Sequence, residues 1–387
     1  MSRLAELIEQ LCPDGVEYRP LSELVRIRNG CDYKALSSGN VPVYGSGGVM
    51  THVSEALGEG PTVLIPRKGS LDNIFFVEGE FWTVDTIFYT EIASELDPKF
   101  FFYKMKTMQL SQMNEAAGVP SMNQRKLGRI LIPVPPLEVQ REIVKILDQF
   151  TTLEAELEAE LEARRAQYEH YRNHLLSYDS LAARGPVEMV KLGDVVEMRR
   201  GSGMPKSSFV NKGIPALHYG HIFVRYGVST SVAAAYVTRG DAKMLVTVMP
   251  GDLVLANTSE NLEDVGKAVV WKGEEKAVAG GHATAISSDL LDMGFLSHYV
   301  RSAHFSLSKR KFAQGTKVIE LSAANLGKIP VPLPELSEQR RIADLLDRFD
   351  TLVNDITSGL PAEIAARHAQ YEHYRDRLLS FPEKKAE

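Results

Sequence analysis

A chain of 387 residues with 44% hydrophobic and 24% charged side chains has the composition of a globular protein of about two or three domains. Its formal net charge of −6 excludes a uniformly cationic nucleic-acid coat, because phosphate binding is dominated by Lys and Arg displacing counterions. Two cysteines, Cys12 and Cys31, exclude a disulfide framework and a cysteine-based zinc site, and no run approaches the ~20 apolar residues that cross a bilayer.

The opening MSRLAELIEQLCPDG lacks the apolar segment and small-residue cleavage site of a signal peptide, so a reducing, cytoplasmic setting is expected. Pro13-Asp14-Gly15 then reads as a turn before a first strand. With Glu17 and Arg19 it has only a superficial likeness to a nuclease carboxylate cluster. Between residues 30 and 126 short β-like runs alternate with glycines, among them TVLIP at 62–66 and IFFV at 74–77. A proline-rich strand end, IPVPPLE, introduces a helix, since proline stops earlier structure from running on. From Glu138 the apolar positions Ile143, Ile146, Phe150, Leu153, Leu157 and Leu161 recur every three or four residues, resumed by Tyr168, Tyr171 and Leu175. That is one face of a long amphipathic helix. Along it Glu154, Glu156, Glu158, Glu160 and Glu162 have the spacing of a solvated helix rather than of a nucleic-acid surface.

The second half repeats the first. VEMVKLGDVVEMRRG at 187–201 echoes VEYRPLSELVRIRNG at 16–30, and another glycine-punctuated region follows, with DLVLA at 252–256. LGKIPVPLPELSEQRRIADLLDRFDTL at 326–352 matches LGRILIPVPPLEVQREIVKILDQFTTL at 127–153 without a gap, at an offset of 199. AQYEHYR occurs at 166–172 and identically at 369–375, an offset of 203. The second copy has therefore gained four residues, roughly one helical turn. Its stripe reads Ile342, Leu345, Phe349, Leu352 and Ile356, then Ile364, Tyr371, Tyr374 and Leu378, with Gly359 and Pro361 expected to kink or interrupt it.

The expected fold is α+β. Two globular mixed α/β domains are separated by two long helices packed as an antiparallel coiled coil, in a pseudo-two-fold internal repeat. The boundaries are 1–135 and 181–333 for the globules, and 136–180 and 334–387 for the helical spacers. The two apolar stripes provide each other's partner surface. About 40 residues of helix make a rod of roughly 60 Å.

The paired IPVPPLEVQREIVKILDQF and IPVPLPELSEQRRIADLLDRF segments resemble the specificity subunits of type I restriction-modification systems, the type IC branch especially. So do AELEAELEARRAQYEHYR, EIAARHAQYEHYR and the LLS endings at 175–177 and 378–380. The resemblance covers nearly the whole chain. It implies two target recognition domains that each read half of a split site in double-stranded DNA. It also implies conserved helices that dock two methyltransferase subunits, an assembly that recruits motor-nuclease subunits, and AdoMet, ATP and Mg held by those partners rather than by this chain.

The residues suggest no catalytic site. The sequence holds no N-P-P-[FY] or D-P-P-[FY] motif and no phosphate loop of the G-x-x-x-x-G-K-[ST] type. His170 and His174 stand at metal-ligand spacing, but His373 recurs at the position of His170 inside the repeat and no carboxylate completes a motif, so a scaffold role is expected and no metal. Base readout needs Arg for guanine, Asn or Gln for adenine, and cations for phosphates. In the first variable block the candidates are Tyr44, Ser46, Arg67, Lys68, Ser70, Asn73, Asn123, Gln124 and Arg125. In the second they are Lys206, His218, Tyr219, His221, Asn257, Ser259, Lys309, Arg310 and Lys317. Tyr168, Tyr171, Tyr371 and Tyr374 are either core or a partner-docking face. The competing reading is a duplicated coiled-coil adaptor without DNA readout.

Overall fold

The computed structural model describes residues 3–114, 118–355 and 358–384. It divides into two compact units, residues 1–156 with 366–387, and residues 157–365. These units differ from the four segments drawn on the sequence, because each contains one globule together with helical pieces from both copies of the repeat.

In the first unit the fully buried run Thr62–Pro66 lies inside a four-stranded sheet of order Val25–Asn29, Ile87–Ile92, Thr62–Pro66, Phe75–Val77. A strand covered on both faces reads as a continuous apolar run, as TVLIP does. A second sheet has the order Gly48–Val53, Ser38–Gly45, Glu80–Thr83, Gly58–Glu59, its middle pair parallel. The other unit repeats the plan. Leu253–Ala256, also fully buried, lies between Ala283–Ser287 and Ala268–Trp271. Ile214–Leu217 pairs in parallel with Ala277–Ala279.

The first helical repeat is one helix, Leu137–Leu175. The second is two, Leu336–Asn354 and Leu360–Leu378. The extra residues fall at this break, where Gly359 precedes the new helix and Pro361 occupies its first turn, a place proline tolerates because no helical N–H bond is lost. Ile356 lies outside the described residues. The long helix contributes residues 137–156 to the first unit and 157–175 to the second.

Within the first unit, residues 366–378 run antiparallel to the start of the long helix: His368 meets Glu154 at 3.1 Å, and Tyr374 stacks on Phe150 at 5.7 Å and 24°. Within the second, Tyr171 stacks on Phe349 at 5.9 Å and 23°, and Tyr168 lies beside Asp350. These are the same stack built twice. Residues 150 and 349 correspond at an offset of 199, and residues 171 and 374 at 203.

Each globule is fastened to its helix by the same two repeat positions. Gln140 is fully buried; its Oε1 accepts from Asp97 N at 2.7 Å, and its Nε2 donates to the carbonyls of Glu95 at 2.9 Å and Pro135 at 2.7 Å. Gln339, equally buried, accepts from Asp292 N at 2.7 Å and donates to Leu290 O at 3.1 Å and Pro334 O at 2.8 Å. Asp97 and Asp292 in turn cap the domain helices Pro98–Lys106 and Met293–Tyr299, so the amide grips a helix start that is itself ordered. Two turns on, Asp148 accepts from Lys99 Nζ at 2.8 Å and Tyr103 Oη at 2.6 Å. Its counterpart Asp347 pairs with His298 Nε2 at 2.8 Å and Lys272 Nζ at 3.1 Å. Burial opposes the charge on Asp347, but His298 and Lys272 outweigh it and hold the carboxyl below its ordinary range.

Replacing Gln339 with Leu keeps the volume and removes three hydrogen bonds to the main chain, one of them to the buried Pro334 carbonyl. Loss of about 2–4 kcal/mol is expected in urea unfolding, with Gln140→Leu equally costly. An unchanged unfolding midpoint for both variants contradicts the anchoring role.

Candidate nucleic-acid interface

In the first unit three separate loops close into one face. Arg67 N and Lys68 N donate to Thr86 O at 2.8 and 3.2 Å, and Met122 N to Arg67 O at 2.8 Å. Gly69 N donates to Pro120 O at 3.0 Å. Asn73 Nδ2 reaches Ser46 O at 3.1 Å across the turn that joins Ser38–Gly45 to Gly48–Val53. Gln124 Nε2 meets Asn29 Oδ1 at 3.3 Å, and Asn123 caps the short helix Gln124–Gly128. All nine candidates of this block therefore lie on or beside one loop cluster.

Their side chains are not equally available. Lys68, Ser70, Asn73, Asn123, Gln124 and Arg125 are exposed, whereas Ser46 is half-buried. Tyr44 is half-buried against the Phe75 ring at 5.9 Å, and Arg67 sits over the Phe88 ring at 5.8 Å. Among the described residues Lys68 and Arg125 make no ion pair, so both cations face solvent. Val49, Met50 and Val119, which sequence reasoning passed over, are more than half exposed near the same loops. The glycines flanking the turn at 45–48 were the available signal, since a tight turn lifts its neighbours off the sheet.

The second unit builds its face in the same register. Leu321 N donates to Asn257 O at 2.8 Å, as Met122 N does to Arg67 O, and Thr258–Ser259 pairs with Ile319–Glu320. Several candidates here are corrected. Asn257 is wholly buried, its Nδ2 on Leu321 O at 2.7 Å and its Oδ1 accepting from Thr284 Oγ1 at 2.8 Å, so its amide is spent inside the fold. Lys309 is 3% exposed and donates to the carbonyls of Glu263 at 3.0 Å and Val265 at 2.8 Å, which removes it from phosphate contact. Ser259 is buried and accepts from Asn261 N at 3.3 Å. The adjacent Arg199 and Arg200, which were not among the candidates, pair with Asp252 at 2.6 Å and Glu320 at 3.3 Å. Lys206, Arg310 and Lys317 are exposed and Tyr219 and His221 half-buried.

His218 is also buried; it caps Tyr219–Val224 by accepting from Gly220 N at 3.1 Å. Its ring lies 4.5 Å from Tyr219 and 5.5 Å from His221, and Tyr219 lies 5.1 Å from His282. Burial, reinforced by His221, Lys206 and His282, pushes His218 down to about 4, so it is neutral near pH 7 and offers no charge to a phosphate. His221 is lowered in the same direction, first by burial and then by Arg225 and Lys206. Among the described residues no three His, Cys, Asp or Glu side chains gather into a metal-holding group; His170 and His174 simply stack at 6.4 Å.

The four tyrosines split into two classes. Tyr168 and Tyr371 are buried, Tyr168 with its hydroxyl 3.3 Å from His298 Nδ1, so they are core rather than docking surface. Tyr171 and Tyr374 remain 41% and 39% exposed, and so do Leu352 and Leu153 nearby, at 42% and 51%. Equivalent helix positions of the two units thus present an apolar patch: Phe150, Leu153 and Tyr374 in the first, Phe349, Leu352 and Tyr171 in the second.

Residues 13–163 and 185–366 match the family described as the type I restriction modification DNA specificity domain. The chain is 31% identical over 389 residues to a putative type I restriction enzyme specificity subunit of Haemophilus influenzae, an alignment covering 95% of this chain and 96% of that protein. It is 33% identical over 266 residues to the EcoR124I/EcoR124II specificity subunit of Escherichia coli, covering 66% and 63%. Among solved structures, the S subunit of a type I restriction-modification system from M. genitalium aligns over 94% of this chain and 96% of its own, with a TM-score of 0.58 at 15% identity. A chain from a study of complex assembly and conformational transition of the type I system aligns over 95% and 98%, with a TM-score of 0.61 at 19% identity. At those identities the likeness is one of fold.

The depressed His218 gives a signed pH effect. Between its folded value of about 4 and its ordinary 6.5 the unfolded chain binds the extra proton, so stability is full above pH 6.5 and falls as pH drops toward 4. His218→Asn keeps a capping oxygen and cannot titrate. Its thermal unfolding midpoint is expected to fall less than that of the unsubstituted chain between pH 6.5 and 5; parallel curves contradict this.

Proposed function

The chain belongs to the type I restriction-modification DNA specificity family, and on that premise we propose that it reads a bipartite double-stranded DNA target, one half-site with each unit. As a specificity subunit it is not an enzyme. The observation that carries the reading is the double construction of the loop face: the main-chain bonds Met122–Arg67 and Leu321–Asn257 hold equivalent loops in equivalent places, while the side chains that line them differ. A constant frame with changeable lining is what two independent readers require.

In the first face the exposed Lys68 and Arg125 serve phosphates, and Ser46, Ser70, Asn73 and Gln124 are the polar groups for base edges. In the second, Lys206, Arg310 and Lys317 take the phosphate role beside Tyr219 and His221. Local charge reconciles these faces with the net charge of −6, since a run of acid lies on the long helix rather than on the loops. The two apolar patches are the docking points for two methyltransferase subunits, with motor-nuclease subunits joining that assembly. AdoMet, ATP and Mg belong to those partners.

Two measurements test the reading. In complex with the methyltransferase partner, Lys68→Ala with Arg125→Ala is expected to flatten the dependence of log K on log salt by about 0.9 for each phosphate no longer neutralised, without altering the recognised sequence; an unchanged salt slope contradicts the assigned face. The second concerns two consecutive EAEL copies at 154–161, which straddle the passage of the long helix from one unit to the other. Removing residues 158–161 shortens the helix by about 6 Å, close to two base-pair steps. Methylation mapping is expected to show the same half-sites separated by a different gap, and an unaltered gap counts against the helix as spacer.

A further inference from the structure

A lysine ammonium is costly to bury, and an apolar side chain would fill the place of Lys309 without that cost. It sits at the end of the helix Ala303–Lys309, and its amine, pushed down to about 8 chiefly by burial, donates among the described residues to two main-chain carbonyls, Glu263 O and Val265 O. The helix that carries it is tied to the long helix, since Ala303 N donates to Asn173 Oδ1 at 2.9 Å and His304 Nε2 lies 2.9 Å from Asn173 O. The helix Ala303–Lys309 is therefore held to the repeat helix by Asn173 at its start and to the loop Ser259–Gly266 by Lys309 at its end.

That loop is wired internally as well. Asn261 Nδ2 donates to Asp264 Oδ2 at 2.8 Å, Asp264 N to Asn261 Oδ1 at 2.8 Å, and Lys267 Nζ pairs with Asp264 at 2.6 Å. It leaves Glu260, Asn261 and Glu263 exposed beside the strand pair Thr258–Ser259 and Ile319–Glu320. The equivalent loop of the first unit is fastened differently, by Asp72 Oδ1 accepting from Ser111 N at 3.0 Å.

We propose that Lys309 is a positioning residue for DNA specificity: it fixes the loop Ser259–Gly266 from beneath so that this loop discriminates the second half-site. This rests on the DNA-reading proposal above. A preorganised loop discriminates because a wrong base cannot be accommodated by local rearrangement.

The test uses the full chain co-expressed with its methyltransferase partner, with adenine methylation mapped at each half-site separately. Lys309→Met is expected to reduce discrimination against single mismatches in the second half-site by about tenfold and leave the first unchanged, while Lys309→Arg, which still donates to carbonyls, restores most of it. Asn261→Ala loosens the same loop from its exposed side and shifts the second half-site in the same direction, even where Lys309→Met fails to fold. Unchanged second-half-site preference in Asn261→Ala and in a folded Lys309→Met overturns the proposal, and so does equal loss at both half-sites. A split motif absent from the unsubstituted chain overturns the DNA-reading proposal and this one with it.

Discussion

One buried glutamine at the head of each helical repeat ties a globule to its frame. Gln140 and Gln339 satisfy one N–H and two carbonyls each, and in each set one carbonyl, Pro135 or Pro334, would otherwise be orphaned in the core. An orphaned buried group costs more than the bond itself contributes, so this arrangement leaves the globule little freedom to tilt on its helix. Asp148 and Asp347 add a second point of attachment two turns away. Two points along a helix define an orientation, and everything that the loop faces can do depends on it.

The helical pieces are exchanged between copies. The first globule is joined by residues 366–378 of the second repeat, and the second globule by residues 157–175 of the first. The aromatic stacks Phe150–Tyr374 and Phe349–Tyr171 close each junction with nearly the same geometry. Identical AQYEHYR segments therefore serve the packing of both units, while the outward edges of Tyr171 and Tyr374 stay exposed. Tyr168 and Tyr371 are buried while the tyrosines three residues on stay partly exposed, because three positions along a helix turn the side chain by most, not all, of one revolution.

Much of this was legible in the sequence. The repeat, the helix stripe and the break near Gly359 follow from periodicity and from the chemistry of glycine and proline, which act locally. The candidates of the first unit, Arg67, Asn73 and Gln124 among them, gather in one loop cluster because they flank its strand ends and turns. What could not be read was burial decided by distant partners. Asn257 and Lys309 have the chemistry of DNA contacts, yet Leu321 and Thr284 claim the first, and Glu263 and Val265 the second. Gln140 and Gln339 stood in plain view at an offset of 199, but a search for apolar spacing gives polar repeat positions no weight.

On the proposed reading, two units that each read their own half-site would leave a direct trace in the host's DNA. Genome-wide adenine methylation in a host carrying this chain with its methyltransferase partner, set against the partner alone, is the measurement that detects it. A split motif with a fixed gap, methylated only when both are present, is the predicted result. A single uninterrupted motif, or methylation that does not depend on the chain, contradicts it.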